Sequence, residues 1–134
     1  MNRRLATVGL HWSNVTLLML VLADGGESRF LAWAFGLTGL AMTGLALAKG
    51  LMNGPGPKLA GGLRRAHPWI SRLMYVLLGW ASVSVLAGQV GVPLPGPDTR
   101  TTLLIVLSAG LLHGIFNLWR STALNDGALR RMLP

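Results

Sequence analysis

The sequence contains no cysteine, and that absence removes disulfides, zinc ribbons, iron–sulfur clusters and thiol nucleophiles together. Any metal chemistry therefore falls to three histidines, His11, His67 and His113. Acidic residues are almost as scarce, four Asp and Glu against twelve Lys and Arg, and no Ser-His-acid set, carboxylate pair or phosphate-binding loop is present. Charged residues of both signs make up only 12% of the chain, whereas 51% is hydrophobic and the mean hydropathy is +0.52. A chain of 134 residues cannot hide that much apolar surface in a water-surrounded core, because small domains bury only about two-thirds of what their unfolded chains expose. The remainder must face lipid.

The net charge of +8 and pI near 11.8 would point to nucleic acid in a soluble protein. Here the arginines sit between apolar runs and not along one amphipathic face, so they read as a membrane topology signal, and no nucleic-acid partner is expected. A bilayer core of about 30 Å needs about 20 apolar residues in a helix. Four stretches come close, at Leu5–Leu22, Phe30–Ala48, Pro68–Ala87 and Thr101–Trp119. The first follows Asn2-Arg3-Arg4, but no small-x-small cleavage site precedes the equally apolar second stretch, so a retained helix is expected. The connectors are rich in Gly, Pro and Asp, as interhelical loops are. The predicted fold is all-α: one domain over residues 1–134, an integral-membrane antiparallel four-helix bundle with no internal repeat.

Short cytoplasmic loops hold the excess of Lys and Arg. The amino end, the second connector and the carboxyl end, with their helix margins, hold ten of them, and only Arg29 and Arg100 lie on the other side with Asp24, Glu27 and Asp98. Both termini are therefore expected in the cytoplasm. Trp12, Trp69 and Trp119 fall near that face as an aromatic belt, with Trp33 near the opposite one. Gly36, Gly39, Thr43 and Gly44 give the second helix a small-residue surface for close packing.

Ionisable residues inside a span mark function by default, because hydrocarbon tolerates them only when they are paired or coordinated. His11 lies six residues into the first stretch, and His113 six residues before Trp119 ends the last. At about 1.5 Å rise per residue both sit roughly 9–10 Å below the same face, on helices of opposite direction. Two neutral imidazoles facing each other in a bundle are what a haem iron takes as axial ligands. Arg4 is seven residues before His11 and Arg120 seven after His113, two turns nearer the cytoplasm, as partners for haem propionates. Gly9, Gly110 and Gly114 remove bulk where a flat macrocycle would enter between helices. The competing reading is that both histidines hydrogen-bond across helices, as polar membrane residues do. His67, just before Pro68, is read as an interfacial residue.

Several of these segments resemble a known family. Leu10-His11-Trp12 after a basic start, the Ser71-Arg72-Leu73-Met74-Tyr75 stretch, and Leu112-His113 followed by the ending Asn125-Asp126-Gly127-Ala128-Leu129-Arg130-Arg131-Met132-Leu133-Pro134 are similar to the bacterial cytochrome b561 family. That family includes the cytochrome b subunits of Ni/Fe hydrogenase and formate dehydrogenase. The resemblance covers all four helices, and the spacing from His113 to the terminal motif is its most specific element. It implies a bacterial inner-membrane protein that passes electrons between quinone and a redox partner protein through b-type haems, within or beside a larger membrane complex.

By resemblance, His11 and His113 match the ligands of the family's cytoplasmic-side haem. The ligand positions of the other haem read Ala32, ahead of Gly36, and Thr99, fourteen residues before His113. Neither can bind iron. Ser71 stands where members often have a histidine. One haem b is therefore expected where relatives hold two, with Trp33, Phe35 and Trp80 bulky enough to help fill the vacated half. The expected role is an electron carrier and not a self-contained enzyme. The alternatives are a haem-free structural subunit that braces a larger complex, and a quinone-linked oxidoreductase, acting on superoxide as some relatives do.

Overall fold

The computed structural model describes residues 2–52, 54–92 and 94–133. Among them are four long helices, α1 (Arg3–Ala23), α2 (Arg29–Lys49), α3 (Gly61–Gln89) and α4 (Thr99–Thr122), followed by one 3-10 turn at Leu129–Arg131. No strand is present among the described residues, and the fold is an all-α four-helix bundle. All four helices are long and apolar enough to cross a membrane, with 18-residue windows of mean hydropathy 1.6 to 1.7. Their outer faces carry exposed Leu, Ile and Val, such as Leu47, Val76, Leu111 and Ile115. A helix that is apolar all round is suited to lipid. The chain is thus built as a multi-pass membrane protein.

Each of three helices is started by a side chain in the polar connector before it. The Asn2 carboxamide oxygen accepts from Arg4 N at 3.0 Å, Ser28 Oγ from Leu31 N at 3.3 Å, and Asp98 Oδ1 from Thr101 N at 3.0 Å. These caps lie outside the apolar runs, so the helices begin a little before the stretches read from hydropathy. The third helix departs most. It starts at Gly61 instead of Pro68, and Pro68 lies inside it. Proline lacks the N–H that would bond to the Arg64 carbonyl, which makes it look like a helix start in sequence. The preceding turns nevertheless continue the helix outward through Arg64 and Arg65, where hydropathy gives no signal.

The helices pack as a ring in chain order. α2 packs extensively on both α1 and α3, α3 also packs on α4, and α1 touches α4 only lightly. Gly36 and Gly39 set the α2–α3 approach: a Cβ at Gly36 would strike the Leu86 side chain, and one at Gly39 the Ser82 hydroxyl. Thr43 lies against Gly79 in the same seam, whereas Gly44 faces open space. The buried core is Leu18 and Val21, Ala32 and Phe35, Ala81 and Val85, with Leu103 and Val106. Every one of these belongs to the half of the bundle away from the chain termini. Phe35 fills that half as expected, fully buried, but Trp33 and Trp80 stand partly exposed on the outside, and small and branched aliphatic residues do the filling.

The terminal half is closed differently. Asn125, at φ 49°, and Gly127, at φ 68°, are in the left-handed region that Asn and Gly tolerate, and they turn the chain back after α4. That reversal brings Asp126 onto Arg120 and lays residues 128–133 across the bundle end. The Trp12 indole donates to the Met132 carbonyl at 2.8 Å, and Lys58 Nζ to the Asn125 carbonyl at 2.9 Å, tying the tail to α1 and to the second connector.

Candidate functional site

A cavity of about 400 Å³ occupies the terminal half of the bundle, beneath the folded-back tail and beside the thin α1–α4 seam. His11 and Asn14 reach it from α1, and Gly110, His113 and Gly114 from α4. The depth match read from sequence therefore does bring His11 and His113 to one cavity. No Cβ contact lies within 4 Å of Gly110 or Gly114, so the α4 wall is open there. Apolar side chains, including Leu18, Phe35 and Val106, close the inner end.

His67 lines the same cavity from α3. The sequence places it at the water interface, but α3 begins before Pro68, so His67 lies two turns inside the helix and is only 6% exposed. The signal was present as a stripe, since His67, Ser71 and Tyr75 recur at four-residue spacing and all three face the cavity.

The two arginines taken as propionate partners have different fates. Arg4 lies away from the cavity lining; it is exposed and donates through Nη2 to the Arg130 carbonyl at 3.4 Å. Arg120 does line the cavity, yet its guanidinium is already committed: Nε donates to Asp126 Oδ2 at 2.7 Å and Nη2 to the Pro55 carbonyl at 2.8 Å. The pairing of Arg120 with Asp126 lies outside what helix spacing predicts. Asp126 is the one acid on the basic side of the chain, which marks it as the available partner.

Asn14 and Asn117 are the other polar groups that sequence reasoning passed over. Asn14 Nδ2 donates to the Leu10 carbonyl at 2.7 Å and its Oδ1 accepts from Thr38 Oγ1 at 3.2 Å, fixing α1 to α2 beside the cavity. Asn117 Nδ2 donates to the His113 carbonyl at 2.9 Å and lies 3.0 Å from His113 Nε2.

These residues fit a flat group ligated from two sides. Among the described residues, no set of three or more His, Asp or Glu is placed to hold a metal ion. His113 Nδ1 and His67 Nδ1 are buried with no hydrogen-bond partner. An unsatisfied buried nitrogen costs about 1–3 kcal/mol, and with Nδ1 enclosed in both rings, Nε2 is the nitrogen left to face the cavity. A group held at His113 Nε2 would take the place of the Asn117 amide there, and Asn117 would keep its bond to the His113 carbonyl. No family model, curated protein or solved structure matches the chain.

Proposed function

We propose that the chain is a membrane cytochrome b of the bacterial cytochrome b561 type, holding one haem b between His11 and His113 and acting as an electron carrier. The observation that carries this reading is the meeting of these two imidazoles in one cavity along the loosest seam of the bundle, opposite an open glycine wall. When bound, the haem supplies reversible one-electron iron chemistry. The protein's own part is to hold the two ring nitrogens at one depth, to surround the group with apolar side chains that exclude water, and to cover it with the tail. Water exclusion and axial ligation are the levers by which a protein sets such a potential.

The packing of the far half favours a count of one haem. Ala32, at the position of a family ligand, is 1% exposed and sits among the buried side chains of Leu18, Val21, Phe35, Ala81, Val85, Leu103 and Val106. A single haem leaves the opposite half of the membrane without a carrier, so electrons enter or leave on that side through a quinone or a partner's cofactor. The ten-to-two division of basic residues supports cytoplasmic termini, and the resemblance supports the bacterial inner membrane, beside or within a larger redox complex.

One observation favours a second reading, a haem-free brace within a membrane complex: Asn117 already occupies His113 Nε2. Visible spectra of the purified protein, oxidised and then dithionite-reduced, decide between them. A sharp low-spin b-type band upholds the cytochrome, and a colourless protein that stays colourless with added haem upholds the brace.

A further inference from the structure

We propose that the terminal end of the cavity is a carboxylate-binding subsite built from His67 and Arg131, which selects an anionic amphiphile over its neutral ester. The proposal rests on the haem reading for its first guest, a porphyrin with propionates directed to this end, but its residues are defined independently of that guest.

The His67 side chain makes no hydrogen bond among the described residues, and with Nδ1 sealed off, Nε2 is the nitrogen left to meet a guest. The ring lies within electrostatic reach of Arg120, Asp126 and Arg131 at the bundle end, as well as His113. Among the described residues, these two guanidiniums and one carboxylate leave one positive charge in excess. Arg120 is held by Asp126 and Pro55, so the free donors belong to Arg131, which also lines the cavity and gives only one Nη2 bond, 3.1 Å, to the Asp126 carbonyl. Gly56 keeps the corner compact: a Cβ there would lie 3.1 Å from Arg120 Nη2 and 3.7 Å from Arg131 Nη2. One carboxylate oxygen takes an Arg131 N–H and the other takes the His67 N–H, both as charge-assisted bonds. The apolar walls hold the hydrocarbon body. Hydrogen bonds to a charged group are the stronger kind, and removing the charge from the guest by esterification abolishes that advantage.

The test compares binding of hemin and hemin dimethyl ester to the full chain in detergent. Wild type is expected to hold the free acid about tenfold or more tighter than the ester. Arg131→Gln and His67→Phe narrow that ratio toward one, Arg131→Lys restores part of it, and Arg65→Gln, outside the cavity lining, leaves it unchanged. The low-spin band of the bound ester reports the axial pair separately, so the subsite can fail while the haem reading stands. Equal affinity for acid and ester, or a preference that survives Arg131→Gln, overturns the subsite. If neither porphyrin binds, the haem reading falls, and the subsite is decided by palmitate against methyl palmitate: a preference for the acid that Arg131→Gln removes upholds it, and equal binding overturns it.

Discussion

Arg120 and Asp126 form a buried ion pair, Nη2 to Oδ2 at 2.6 Å, with side chains 2% and 0% exposed. The pair joins the end of α4 to the tail that crosses the bundle. Asp126 Oδ1 also accepts from Ala128 N at 2.9 Å, and Arg120 reaches the second connector at Pro55, so one contact organises three segments around the cavity mouth.

Asp126→Ala is expected to destabilise the protein by about 3–5 kcal/mol, because it leaves a buried guanidinium without its counter-charge. Thermal unfolding in detergent measures the loss, and limited proteolysis reports whether the tail has come free. The double variant Arg120→Met, Asp126→Leu is expected to lose less than Asp126→Ala alone, since no uncompensated charge remains. A double variant as unstable as the single would show that the pair's hydrogen bonds to Pro55 and Ala128, and not its charges, hold the tail.

Gly39 and Gly44 look alike in sequence and differ in the fold. Gly39→Leu forces a side chain into Ser82 and is expected to cost about 1–3 kcal/mol or more through strain between α2 and α3. Gly44→Leu enters open space and is expected to stay within about 0.5 kcal/mol of the parent. Melting temperatures of the two variants, measured side by side, check the pairing of these helices.

Asp98 predicts a local pH effect. The Thr101 hydroxyl at 2.6 Å, with the Thr101 amide, holds its carboxyl below the usual carboxylate range. A depressed folded-state value means that the cap's contribution is complete above the ordinary carboxylate pKa and is lost as pH falls through the lowered one. Amide exchange at Thr101 and Thr102 is therefore expected to quicken, relative to the rest of α4, as the solution is acidified through that range. Asp98→Asn removes this pH dependence while keeping a capping oxygen.

How much of this was legible in the sequence depended on which physical signal each residue carried. Four apolar runs mark four helices plainly, and equal depth puts His11 with His113. The start of α3 was hidden because Gly61–His67 is polar helix outside the apolar run, and Pro68 imitates a boundary. That single displacement hid His67. Arg120 lies at the cavity two turns beyond His113, but its partner depends on the chain reversal at Asn125 and Gly127, which periodicity cannot express. Trp33 and Trp80 were misjudged as filling because bulk alone does not say which side of a helix faces inward. Ala32 and Val85, small enough for the helices to approach, fill that half instead.

Haem extraction against a protein assay, joined to the reduced spectrum, is the decisive measurement for one haem held by His11 and His113. Close to one haem per chain with a low-spin b-type band is expected. That band should be lost in His11→Ala and in His113→Ala, where water cannot readily replace a ligand in hydrocarbon, and kept in shape by His67→Ala, which weakens retention only. A ratio near two, a ratio near zero after haem is supplied, or an unchanged band in either axial variant would contradict it.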